Sequence, residues 1–126
     1  MPRVTEIAFT GYPVSNIARS RAFYEGVLQL KLSQVYEHGE KSWIEYEIAG
    51  STFAISNFME APKPSGKGPS VAFEVEDFEQ SIATLRENLT PFYQEPMATP
   101  VCQLAIVGDP DGNAVTIHHR LAAASP

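Results

Sequence analysis

Two stretches of this chain lie over one another almost residue for residue, and a repeat of that kind leaves few folds open. Phe9-Thr10-Gly11-Tyr12-Pro13-Val14-Ser15-Asn16 matches Ser70-Val71-Ala72-Phe73-Glu74-Val75-Glu76-Asp77. Ser20 and Ala22 fall over Ser81 and Ala83. Gly50-Ser51-Thr52-Phe53-Ala54-Ile55-Ser56 falls over Gly112-Asn113-Ala114-Val115-Thr116-Ile117-His118. Two unrelated units would not reproduce both the polar residue that opens a helix and the hairpin that closes the module.

Hydrophobic periodicity gives each copy the order βαβββ. In the first, Thr5–Val14 alternates as a strand, with Ile7, Phe9 and Gly11 on one face. Ser15-Asn16 caps a helix over Ile17–Leu28. Strands follow over Leu32–Glu37, Ser42–Ile48 and Thr52–Asn57. A tight hairpin at Gly50-Ser51 sets Glu47 opposite Ala54 and Glu45 opposite Ser56, so Trp43, Glu45, Glu47, Ala54 and Ser56 share a face. Met59–Pro69, rich in Pro and Gly, reads as a linker. The second copy runs through a strand at Ser70–Glu76, a helix at Phe78–Leu89 capped by Asp77, and strands near Pro91–Gln94, Val101–Val107 and Ala114–His119. Gln94–Pro100 reads as a loop. Asp109-Pro110-Asp111-Gly112-Asn113 is the turn into the last strand: Pro sets φ early, and Gly112 takes a positive φ. Leu121–Pro126 reads as a fraying tail.

The expected fold class is therefore α+β: two βαβββ modules in tandem (module one 4–58, linker 59–69, module two 70–119) within a single 1–126 domain. Helices cover one face of each curved, mixed sheet, and the two open faces together would enclose a cleft. Length and an apolar content of 44% suffice for a core. A net charge of −6 argues against nucleic acid and anionic membranes as partners. Cys102 is alone, which excludes an internal disulfide or a thiolate cluster, and its place in a strand suits a buried, inert thiol. With no apolar run long enough for a bilayer and no signal-like start, the cytoplasm is the expected location.

Tyr12-Pro13-Val14-Ser15-Asn16, Arg19-Ser20, Phe23-Tyr24, Val27-Leu28 and Asp109-Pro110-Asp111-Gly112-Asn113 carry a resemblance that extends over nearly the whole chain. The chain resembles the vicinal oxygen chelate superfamily, which contains glyoxalase I, extradiol ring-cleaving dioxygenases and bleomycin-resistance proteins. Metal-using members place histidine or glutamate ligands on the first and last strands of each module. Carried over, those positions fall on Phe9, Ala54, Ser70 and Thr116. Phe and Ala offer no lone pair, and Ser and Thr are poor sole ligands for transition metals. The resemblance thus implies a member without the usual metal or any cofactor.

Strand parity turns Glu45, Glu47, Glu74 and His118 toward the open face. Glu45, Glu74 and His118 are candidate acid–base residues, set against the plainer reading of solvated side chains on an open sheet. Phe9 and Trp43 offer an apolar wall for a flat ligand, or simple core packing. His119 belongs to the helix side, and His38 to a turn. The candidate ligand-binding set is Phe9, Trp43, Glu45, Glu47, Ala54, Ser56, Ser70, Glu74, Thr116 and His118. The leading functional reading is a metal-independent binder of a small organic molecule, cationic or polar, acting as a homodimer. The alternatives are a lyase, isomerase or dioxygenase-like enzyme using Glu45, Glu74 and His118 or a relocated divalent metal, and a small-molecule sensing module.

Overall fold

The computed structural model describes Arg3, residues 5–58 and residues 70–121; the expected linker and all but Leu121 of the expected tail lie outside them. Backbone contacts gather into two compact units, Met1–Pro64 and Ser65–Pro126. Each unit is one βαβββ module.

Module one consists of β1 (Thr10–Pro13), a helix α1 (Ile17–Arg21) that runs on as a π-helical turn over Ala22–Val27, then β2 (Lys31–His38), β3 (Lys41–Ile48) and β4 (Ser51–Ser56). Module two repeats the order with β5 (Val71–Glu74), α2 (Phe78–Glu87), β6 (Phe92–Ala98), β7 (Cys102–Gly108) and β8 (Ala114–Arg120). The sheets have the same topology, β1-β4-β3-β2 and β5-β8-β7-β6. In each, the first strand pairs in parallel with the last and the other pairings are antiparallel.

The repeat holds at the level of single bonds. Asn16 and Asp77 cap their helices with the same backbone geometry, each side chain accepting an N–H three residues on at 3.0 Å. The parallel strands part with the same bond, Val14 N–H to Ser56 O at 2.9 Å and Val75 N–H to His118 O at 2.8 Å. Both helices end on a left-handed residue, Gln29 at φ 57° and Leu89 at φ 58°. Gln29 follows its cap by 13 residues and Leu89 by 12. Module one thus carries one extra helical residue, and it is absorbed as the π turn, the usual form such a bulge takes. That turn is the departure from the regular helix expected over Ile17–Leu28.

Helix-side residues form the cores. In module one Tyr24, Tyr46 and Phe53 pack ring on ring, with Tyr24 and Phe53 centroids 5.2 Å apart and Tyr46 and Phe53 stacked at 6.4 Å. Tyr24 and Tyr46 are fully buried. The Tyr46 hydroxyl donates to Glu25 at 2.8 Å, and Arg21 grips the same carboxylate with two bonds. Burial, then the neighbouring Glu25 carboxylate, pushes the Tyr46 phenol well above its ordinary range. Arg21 holds Glu25 below the usual carboxylate range. In module two Phe73, Leu85, Val107, Val115 and Ile117 play the same part without a polar group.

Several boundaries differ from expectation. Strand pairing in β1 begins at Thr10, opposite Phe53, not at Thr5, and β5 spans only Val71–Glu74, paired from Val115 to His118. The first hairpin turns on Ala49-Gly50, both at positive φ, the signature of a two-residue type I′ turn. Glu47 therefore faces Thr52, Glu45 faces Ala54 and Trp43 faces Ser56. The slip is two residues, so every side chain keeps its face. Strand β6 continues through the expected loop to Ala98, with register shifts on the way to Met97 that accommodate Pro96.

The turn before β8 has a buried centre. Asp109 accepts from the backbone N–H of Asp111 at 2.9 Å and of Asn113 at 2.8 Å, and from the Asn113 amide at 2.9 Å. Gly112 sits at φ 88°. Asp109→Ala strands those buried donors, and we expect it to lower unfolding free energy by about 2–4 kcal/mol. Urea denaturation checks this; an unchanged midpoint would count against the turn's role.

Candidate functional site

Each module leaves one sheet face without a helix, and the expected site residues lie on these faces. In module one the β1·β4 and β3·β4 registers align Gly11, Ala54 and Glu45 in one row and Pro13, Ser56 and Trp43 in the next. Phe9, just ahead of β1, meets Trp43 edge to face at a centroid distance of 4.9 Å. Gly11 leaves the room for this: a Cβ there would stand 3.4 Å from the Phe9 ring and 3.9 Å from Trp43. The Trp43 indole N–H donates to Glu45 at 2.8 Å, which fixes the ring and the carboxylate together. Phe9, Trp43 and Glu45 thus form one group. Glu47 is exposed, and Ala54 is fully buried. Ser56 spends its hydroxyl on the Ser42 carbonyl and accepts from Phe58 N–H.

In module two the equivalent rows hold Ala72 with Thr116 and Glu74 with His118. Ser70 and Thr116 hydroxyls lie 3.2 Å apart. His118 Nδ1 stands 2.6 Å from one Glu74 oxygen, and the Arg120 backbone N–H donates to the other at 2.6 Å. The Arg120 N–H and then His118 hold the Glu74 carboxyl below its ordinary range. An ionised carboxylate only accepts, so His118 Nδ1 carries the proton. Of the three acid–base candidates, Glu74 and His118 are bonded to each other, while Glu45 belongs to the Trp43 group. The Arg120 contact lies one residue beyond the expected strand Ala114–His119, and it is made because β8 runs on to Arg120.

His119 lies on the helix side as expected, its Nδ1 donating to Val75 O at 2.8 Å. It borders an open recess of about 360 Å³ with Glu76, Asp77, Phe78, Glu79 and Gln103 at the start of α2. His38 ends β2 and is exposed. Among the described residues no three His, Cys, Asp or Glu side chains converge as metal ligands.

Two open-faced βαβββ modules, each closed by a parallel pairing of first and last strand, define the frame, and the sequence pattern of the glyoxalase/bleomycin resistance protein/dioxygenase superfamily matches residues 6–117. The chain belongs to that superfamily. No curated protein sequence gives a significant match. Among solved structures, TnmS3, an antibiotic binding protein from Streptomyces sp. CB03234, superposes with a TM-score of 0.79 at 19% identity, over 96% of this chain and 100% of that one. A glyoxalase/bleomycin resistance protein from the same organism gives 0.73 at 21% identity, over 89% and 98%. A glyoxylase/bleomycin resistance protein/dioxygenase domain from Frankia sp. EAN1pec gives 0.75 at 13% identity, over 95% of each. At such identities the likeness is one of fold.

Superfamily membership raises the question of a metal, and the residues at the carried-over positions do not suit one. Phe9 is engaged with Trp43 and Ala54 is buried within the sheet. Ser70 and Thr116 bond to each other. A divalent transition ion needs several imidazole, carboxylate or thiolate donors at one point, and these four side chains supply none.

Proposed function

We propose that this superfamily member binds a small organic molecule without a metal ion, on the open sheet faces and above all at Phe9, Trp43 and Glu45. The ligand would be planar and cationic or polar. The observation that carries the reading is the Trp43–Glu45 hydrogen bond beside the Phe9 ring: it holds a carboxylate at the edge of an aromatic wall. A cation stacked on that wall gains from the ring quadrupole and from the carboxylate together. The fold shared with TnmS3, an antibiotic binding protein, supports the same reading. On the same face Glu47 would supply a further polar contact, and Ala54 and Ser56 would shape the floor; Ser70, Glu74, Thr116 and His118 would offer polar contacts on the open face of module two, taken by itself.

Trp43 is the sole tryptophan, so its emission reports on this wall. We expect 9-aminoacridine, a planar aromatic cation, to quench it saturably, and Glu45→Gln to weaken binding about tenfold. Absence of saturable quenching by this probe and by a panel of aromatic antibiotics would sink the reading.

Metal independence has its own test. Protein purified without chelator should carry well under one zinc, nickel, manganese or iron ion per chain by elemental analysis, and adding these ions should leave the melting temperature nearly unchanged. Stoichiometric metal that disappears in a His118→Ala, Glu74→Gln variant would overturn it and favour a relocated site.

We also propose a homodimer working in the cytoplasm. The support is exposed apolar surface on the outer strands of both sheets, including Tyr36 on β2 and Tyr93 and Met97 on β6. A monomeric mass by light scattering at micromolar concentration, or recovery in a membrane or secreted fraction, would count against this.

One observation favours the enzyme alternative, a lyase, isomerase or dioxygenase-like activity: the bonded Glu74–His118 pair is built as a general base with its orienting carboxylate. Turnover of a bound ligand, lost in His118→Gln, would give that reading the lead.

A further inference from the structure

We infer that the open face of module two holds a second ligand site, in which His118 Nε2 accepts the proton of a phenol or enol whose apolar ring lies on Leu104, Ile106 and Met97. It deepens the general-base reading of the Glu74–His118 pair, on which it rests, by naming the class of ligand; the module-one reading is separate.

The first part is the direction of the imidazole. Glu74 takes the Nδ1 proton at 2.6 Å and is itself pinned by the Arg120 backbone N–H at 2.6 Å. That fixes the neutral tautomer, so Nε2 is left with its lone pair. Among the described residues no hydrogen bond reaches Nε2, and the His118 side chain is 26% exposed. An acceptor that no described residue satisfies is open to a ligand that brings a proton.

The second part is what surrounds it. Residues directly opposite in adjacent strands share a face. Leu104 lies opposite His118, Met97 opposite Leu104, and Ile106 opposite Thr116. Leu104 and Ile106 are half-buried, and Met97 is exposed. The face thus passes from a carboxylate through an imidazole to an apolar platform. A purely polar ligand would waste the platform, and a hydrocarbon would leave Nε2 unpaired. An aromatic ring bearing an acidic hydroxyl satisfies both.

On binding, the ligand O–H bond breaks and an N–H bond forms on Nε2, while the electron pair stays on the ligand oxygen. The imidazolium is stabilised by the Glu74 carboxylate on its other nitrogen, and the new oxyanion by the imidazolium. No oxidant or second reactant is needed. Glu74 is a positioning residue, acting through His118.

The probe is 4-nitrophenol, whose ionised form absorbs visible light, in buffer slightly acid of its own pKa. We expect saturable growth of the phenolate band with wild-type protein, its loss in His118→Gln, and about tenfold weaker binding in Glu74→Gln. Nitrogen NMR of the unliganded wild type tests the tautomer without any variant: neutral His118 should carry its proton on Nδ1. A proton on Nε2, absence of binding, binding without ionisation, or an unchanged phenolate band in His118→Gln would each overturn the inference. The module-one reading stands or falls separately, on Trp43 emission.

Discussion

Each module depends on one long-range interaction, the parallel pairing of its first strand with its last. These strands are far apart in sequence, so joining them costs loop-closure entropy that only the finished sheet and its helix repay. What the pairing achieves chemically is adjacency. It sets Ser70 beside Thr116 and Glu74 beside His118, and in module one it aligns Gly11 with Ala54 so that Phe9 arrives over Trp43. The capped helix between the first two strands makes the crossover possible and covers the other face, which leaves these side chains on the uncovered one.

The same frame carries different chemistry in its two copies. Pro13 and Ser56 occupy the positions that Glu74 and His118 hold in module two. Inside, the aromatic Tyr24 and Tyr46 of module one correspond to Leu85 and Val107. A buried phenol needs a partner, and Glu25, positioned within the π turn and steadied by Arg21, provides it. Module two, with valine at that place, needs neither the acid nor the extra residue. The helical insertion and the buried hydroxyl are best understood as one adjustment, since Tyr46 without Glu25 would bury an unpaired O–H.

This division explains how much could be read from the residues alone. Caps, the Asp109–Asn113 turn and the strand parities follow from local rules, and all were legible. The hairpin register was not, because Ala49 takes a positive φ that glycine would have advertised. Strand β6 was hidden by Pro96, which an edge strand tolerates and a central one would not. The π turn becomes visible only when the two helices are counted against each other from cap to left-handed end. On the open faces, the membership of each group was legible from parity. Its bonding was not: the Trp43–Glu45 bond lies within one strand, two residues apart, and the Arg120 contact is a backbone group with no side-chain signature.

The solved relatives share between 13% and 21% of their residues with this chain while keeping its fold. The fold can survive such divergence because its requirements are generic: apolar side chains on the helix side, a polar cap, and backbone bonds that any residue but proline can donate. The open faces have no such redundancy. Replacing one imidazole by a phenyl ring at a position equivalent to Phe9 removes a ligand while costing the sheet little, since an aromatic neighbour such as Trp43 can accept the new ring. A second loss then matters less, because a site missing one donor already holds its ion weakly. Metal sites of this architecture should therefore disappear as a set. A surface under no such demand is free to join side chain to side chain, as Ser70 does with Thr116 in one module and Phe9 with Trp43 in the other.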